Sequence, residues 1–361
     1  MRHLRGRRRL VIGIVVLLYL VGCTGEKVVY LEPLPSPHEP RWRENKGWIE
    51  VFFTQPDLLS RSTFRGGPDA SLAESIRRAR FQVDLAVYRL DLWSVRDALL
   101  DAHNRGVKVR IVTEDSHLDQ DEIQDLMEAG VPVISDHGQG LMHHKFVVID
   151  QEEVWTGSMN FTLNGAYRHD NALLHVRSQE VAKNFTTEFE EMFIDGLFGE
   201  NVRVDTPYPR VDIAGNVVET YFSPDDQPAE RVVELIQNAE KSIIFLAFSF
   251  TSDAVAEAIL KQAEHQVVVK GVMETSQSFT GKGDEGQRFS DSAVEIRFDG
   301  NPDKMHHKCI VIDDKVVITG SYNFTVSAEK RNDENILIIY DPQVARWFKE
   351  EFDRVFAMAH P

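Results

Sequence analysis

Two stretches of this 361-residue chain carry the same six chemically capable residues at the same spacing. In the first they are His143, Lys145, Asp150, Gly157, Ser158 and Asn160. In the second they are His306, Lys308, Asp313, Gly320, Ser321 and Asn323. The copies superimpose without a gap, 163 residues apart, and six typed positions at fixed spacing exclude coincidence. A histidine can attack as the neutral ring and donate a proton as the charged one, so a pair can divide a displacement between them. The lysine two residues after each supplies positive charge for an oxyanion in the transition state. Asn160 and Asn323 add amide donors, and the Gly-Ser turns with Ser158 and Ser321 let backbone N–H groups approach the same oxygens. Asp150 and Asp313 stand at strand ends before turns, where capping the turn competes with a catalytic role. On a strand, His144 and His307 point to the face opposite the motif histidines and read as supporting residues.

The elements around these motifs also occur twice. Ile49–Pro56 alternates as a strand, 70–80 is helical with Asp69 placed to cap it, and Phe81–Tyr88 (FQVDLAVY) is again a strand. Residues 91–104 are helical, 107–113 a strand, and 119–129 an acidic helix ending at Gly130. After the motif come a strand over 171–176 and a helix over 180–193. The same order returns from Val217, with 229–239 helical, Ser242–Phe250 (SIIFLAFSF) a strand, and 267–273 matching VKVRIVT. The last helix, 344–356, carries Trp347, Phe348, Phe352 and Phe356 as a core-facing stripe. Alternating strands and helices predict an α/β sandwich in each half.

H-x-K-x4-D followed by G-S-x-N resembles the signature of the phospholipase D superfamily, and the resemblance covers nearly everything after residue 47. It implies two homologous α/β/α sandwich domains related by pseudo-twofold symmetry, with one active site shared at their interface. It also implies phosphodiester cleavage through a phosphohistidine, without a metal or other cofactor. Lys145, Lys308, Asn160, Asn323, Ser158 and Ser321 would hold the phosphate, with Asp150 and Asp313 counted among the catalytic set. An N-x-E-N segment in the family supplies a partner for the second ring nitrogen of each histidine. Asn332-Asp333-Glu334-Asn335 places Glu334 on His306, and Arg168-His169-Asp170-Asn171 places Asp170 on His143, one residue shorter and with a shorter acid. By the same analogy His143 attacks and His306 is the general acid. His169 reads as a surface residue.

Composition suits a globular body, with 42% hydrophobic and 27% charged residues. Arg2, Arg5, Arg7, Arg8 and Arg9 precede an apolar run over 10–22, too short to span a bilayer, which reads as a signal peptide. Leu20-Val21-Gly22-Cys23 resembles the lipobox of bacterial lipoproteins. It implies cleavage before Cys23, lipid on its sulfur, and, with Thr24 following, an outer-membrane or cell-surface location. The Pro-rich stretch EPLPSPHEP then reads as a tether. The expected organisation is signal 1–22, lipidated tether 23–47, first domain 48–198, linker 199–216 and second domain 217–361. Loss of five arginines with the signal takes the formal charge from −17 to −22. Cys309 is the only other cysteine, which leaves no internal disulfide and no cysteine-built zinc site.

A lipid-anchored acidic protein is surrounded by phospholipid and repels nucleic-acid backbones at long range. The expected substrate is therefore a phospholipid at a membrane surface. Surface cleavage of DNA or RNA is the alternative, favoured by a basic groove of Arg61, Arg65, Lys282 and Arg288. Phosphatidyl transfer and non-catalytic phosphate binding stand behind both. With both half-sites in one chain, a monomer is expected.

Overall fold

The computed structural model describes residues 43–56, 60–138, 140–278 and 285–361. Cys23, the signal and the Pro-rich run lie outside these residues, as do Lys282 and the side chain of Arg61. No helix among the described residues is long and apolar enough to cross a membrane.

The first half contains β1 (Arg43–Asn45), β2 (Ile49–Phe53), β3 (Gln82–Val87), β4 (Lys108–Thr113), β5 (Val133–Ser135), β6 (Lys145–Ile149), β7 (Glu153–Gly157), β8 (His169–Asp170) and β9 (Ala172–Arg177). All but β8 form one sheet, in the order β1-β2-β9-β7-β6-β3-β4-β5. The second half repeats this with β10 (Arg210–Ile213), β11 (Asn216–Ser223), β12 (Ser242–Ala247), β13 (Val268–Met273), β14 (Glu295–Phe298), β15 (Lys304–Met305), β16 (Lys308–Ile312), β17 (Val316–Gly320) and β18 (Glu334–Tyr340). Its sheet order is β10-β11-β18-β17-β16-β12-β13-β14. The motif strands β6 and β16 lie centrally in their sheets and are buried along their whole length, so helices must cover both faces.

One apolar cluster fills the space between the halves. It joins Phe53, Phe146, Phe185, Phe189 and Phe222 to Trp347, Phe348 and Phe352. The stripe predicted on the last helix therefore faces the core, and only Phe356 is part-exposed, under the Arg297 guanidinium. That helix, Pro342–Met358, starts where its sequence dictates. Proline sits at its first position, and the Asp341 carboxylate accepts the Gln343 and Val344 N–H groups at 2.8 and 3.4 Å. Two outer clusters pack each sheet against its own helices. Cys309 is buried in the central cluster, and burial pushes its thiol up to about 12.

Two boundaries differ from the sequence reading. Residues 43–45, placed in the tether, form an edge strand on β2, and 210–213, placed in the linker, form one on β11. The first lacks an apolar alternation because an edge strand has one side in water.

Asp150 and Asp313 are structural. Asp150 opens the β6–β7 turn with φ 53°, and its carboxylate accepts the N–H groups of Arg80, Phe81 and Gln82 at 2.9, 2.7 and 2.9 Å. Asp313 does the same for Glu240, Lys241 and Ser242 at 3.0, 2.7 and 2.9 Å. Each lies at the far end of a five-residue strand, roughly 16 Å from the histidine end. The catalytic reading of these two residues is thereby corrected. Asp150→Ala should destabilise the fold by about 2 kcal/mol, the scale for charge-assisted hydrogen bonds, while kcat per folded molecule stays unchanged. Denaturant titration beside active-site titration would check this, and a selective loss of kcat would contradict it.

Candidate active site

The histidine ends of β6 and β16 meet where the halves join. Alternation along a strand puts His143 and Lys145 on one face, and His306 and Lys308 likewise. Each histidine is clamped by backbone from the other half. His143 N–H donates to the Asp333 carbonyl at 3.0 Å and His306 N–H to the Asp170 carbonyl at 2.8 Å. β8 and β15 add a two-stranded parallel contact across the same seam. Glu114 and Glu274, at the ends of β4 and β13, accept the N–H groups of Met142 and Met305 at 2.9 and 2.8 Å. The sequence put these glutamates at matching positions without suggesting this role.

Both motif histidines are nearly buried, at 8% and 6% exposure, leaving only a small edge open to a ligand. His143 lies against the Tyr88 ring, centroids 5.0 Å apart, and His306 against Phe248 at 4.5 Å. Lys145 Nζ donates to the His143 carbonyl at 2.6 Å and sits over the Tyr88 ring. Lys308 Nζ donates to the His306 carbonyl at 3.0 Å, lies over Phe248, and comes within 3.3 Å of the His306 ring. Burial dominates the electrostatics. It holds His143 down at about 4, partly offset by the Glu334 carboxylate, and holds His306 well below the ordinary range, with Lys308 and Lys145 adding to the effect. Lys308 is drawn down to about 7 and Lys145 well below its usual range, again mainly by burial. Glu334 is the carboxylate that acts on His143 and on both lysines, and a phosphodiester anion entering here would add further negative charge beside these four groups.

The partners of the histidines are exchanged relative to the sequence reading. Glu334 Oε2 lies 2.9 Å from His143 Nδ1, not against His306. His306 Nδ1 lies 2.9 Å from Asn171 Oδ1 and 3.1 Å from the Ser158 carbonyl. Asp170 faces away from both rings, paired with Arg354 and accepting from Asn301 Nδ2 at 2.7 Å. The physical reason is the crossing of the two halves at the seam, which carries each segment to the opposite histidine. Asn171 was missed because its side chain is neutral.

Ser158 and Ser321 are wholly buried and engaged with their own halves, which corrects their assignment to phosphate. Ser158 Oγ accepts the Ala172 N–H and Ser321 Oγ the Asn335 N–H, both at 3.0 Å. The preceding glycines allow this approach, since a Cβ at Gly157 would lie 2.3 Å from the Ala172 carbonyl oxygen and one at Gly320 2.1 Å from that of Asn335. Asn160 and Asn323 are half-buried, each with a buried Oδ1 that has no partner among the described residues. His144 and His307 take the opposite face, with Nε2 2.9 Å from Glu188 and Glu351 respectively. His169 is half-buried rather than on the surface, its ring 6.0 Å from that of His306.

Comparison with known proteins agrees with this architecture. The family profile described as "Cardiolipin synthase, PLD-like domain" matches residues 72–193 and 232–356, one match in each half. A phospholipase D of Rickettsia typhi is 31% identical over 149 residues, covering 40% of this chain and 72% of that protein. A mitochondrial cardiolipin hydrolase of Xenopus tropicalis is 34% identical over 118 residues, covering 32% of this chain and 56% of that protein. The crystal structure of a phosphatidylserine synthase from Haemophilus influenzae superimposes with TM-score 0.65 at 12% identity, over 86% of this chain and 87% of that one. At that identity the match speaks for the two-domain fold alone.

Proposed function

The chain belongs to the phospholipase D-like family and is a phosphodiesterase-type hydrolase, and from that premise we propose that it hydrolyses a phospholipid to phosphatidic acid and a free head group. The observation that carries the reading is the meeting of His143 with Glu334 from the other half, with Lys145 and Lys308 both close enough to act on both motif histidines. In the first step the His143 Nε2 lone pair bonds to phosphorus as the bond to the leaving oxygen breaks, and that oxygen takes the His306 Nε2 proton. Water then bonds to phosphorus, the P–N bond breaks with its electrons returning to His143, and the water proton goes to His306. Lys145 and Lys308 hold the equatorial oxygens as negative charge accumulates.

A lipid substrate is supported by the names borne by the relatives at 31% and 34% identity, and by the acidic charge of the chain. Of the cations named for a polynucleotide groove, the two whose side chains are described, Arg65 and Arg288, lend that alternative little support. Arg288 is bound to Glu285 at 2.7 Å and to Asp253 at 3.3 Å, while Arg65 is stacked over Trp93. Anchoring through Cys23 outside the cytoplasm of a bacterium would keep the site within reach of head groups, and a single chain suffices because it holds both half-sites.

The test incubates the full chain with phosphatidylglycerol–phosphatidylcholine vesicles, and separately with single- and double-stranded DNA, all in EDTA. Phosphatidic acid is the expected product, undiminished by the chelator because lysines supply the charge. DNA cleavage with intact lipid would refute the lipid reading.

A further inference from the structure

Asn171 holds in the first half the place that Glu334 holds in the second. The two are 163 residues apart, the same offset as the motifs. Each directly precedes the residue whose carbonyl accepts the serine N–H of the Gly-Ser turn, Ala172 for Ser158 at 3.0 Å and Asn335 for Ser321 at 3.1 Å. Each reaches the histidine of the opposite half at 2.9 Å. The orientation of the Asn171 amide is fixed by its other bonds. Its Nδ2 donates to the Gly165 carbonyl at 3.0 Å, and Ser158 Oγ, already accepting the Ala172 N–H, donates to Oδ1 at 3.0 Å. Oδ1 therefore faces His306, whose Nδ1 must carry a hydrogen.

The half-sites are alike in shape and unlike in charge. His143 has a fully buried carboxylate at its back. His306 is surrounded by Lys308 on its own strand, by Lys145 and His143 across the seam, by His169 on β8, by the Phe248 ring and by the neutral Asn171 amide. The groups that act most on the ring, Lys308, Lys145, His169 and His143, all oppose its positive form.

We propose that Asn171 is a positioning residue that makes the site one-way, backing His306 with an amide where His143 has a carboxylate so that only His143 can carry the phosphoryl group. This rests on the phosphodiesterase reading above. A phosphorylated imidazole bears a positive ring; at His143 that ring faces Glu334, whereas at His306 it would be buried beside Lys308 without a counter-charge. The same lack makes the His306 imidazolium give up its proton readily to the leaving oxygen.

Two measurements test this in the full chain. In ¹⁵N histidine side-chain spectra recorded without substrate, His143 should take up its proton at higher pH than His306, and Asn171→Asp should raise the His306 titration by about 1–3 pH units. A His306 that titrates at or above His143 in wild type, or one that Asn171→Asp leaves in place, overturns the proposal. In wild type turning over the same vesicles and quenched by denaturation at alkaline pH, where the P–N bond survives, the phosphatidyl group should be found on His143 alone, and its presence on His306 overturns the proposal without recourse to any variant. Failure of the lipid reading would appear instead as no turnover of vesicles, with the spectral order of the two histidines still decisive for Asn171.

Discussion

His143→Ala is expected to lower kcat by at least about 10⁴-fold, a loss of roughly 5 kcal/mol of transition-state stabilisation, and to abolish the phosphoryl-enzyme. The size follows from what the residue does. In the proposed mechanism His143 forms the bond to phosphorus, and neither Lys145, tied to a backbone carbonyl at 2.6 Å, nor Tyr88, which presents its ring, is placed to substitute for it. The fold should tolerate the change, because the clamp to the Asp333 carbonyl is made by the backbone N–H and survives substitution. Quenched-flow mass spectrometry beside steady-state kinetics checks both parts. Retention of a labelled phosphoryl group elsewhere, or of more than a few per cent of kcat, would remove His143 from its role.

His306→Ala should lose activity according to the leaving group. A phospholipid expels an alkoxide, which needs a proton as it departs, so loss of the acid should cost about 10²- to 10⁴-fold. A nitrophenyl phosphodiester expels an oxygen stable as its anion, so formation of the phosphoryl-enzyme should be slowed far less. Its breakdown, which needs His306 as the base toward water, should become rate-limiting, and intermediate should accumulate. The readout is a burst of nitrophenolate followed by a slow steady state. Equal losses on both substrates with no burst would show that His306 binds rather than transfers protons.

Much of this was legible in the chain because it is encoded locally. H-x-K on a strand places histidine and lysine on one face and the neighbouring histidine on the other, which is where His144 meets Glu188. The alternation of strands and helices, and its repetition, pointed to an α/β sandwich in each half, while the order of strands within each sheet depends on long-range pairing. What could not be read depends on contacts between distant segments. That Asp150 receives three N–H groups requires knowing that 80–82 arrives beside the β6–β7 turn. That Glu334 serves His143 requires the crossing of the halves. The only acid in the first-half segment is Asp170, one residue from the true equivalent, whereas the constant offset of 163 residues from Glu334 falls on Asn171. Exposed edge strands such as 43–45 carry no apolar signal and pass for linker.

The reciprocal clamp at the seam has an evolutionary consequence. Two identical subunits meeting about a twofold axis would express every substitution twice, so an acid could be exchanged for an amide only on both sides together. Joining the halves in one polypeptide lifts that restriction, and each copy can drift toward a separate duty while the backbone clamps keep both in register. The Glu334–Asn171 difference is one that only such a joined chain can hold, a carboxylate behind one histidine and an amide behind the other on an otherwise symmetric scaffold.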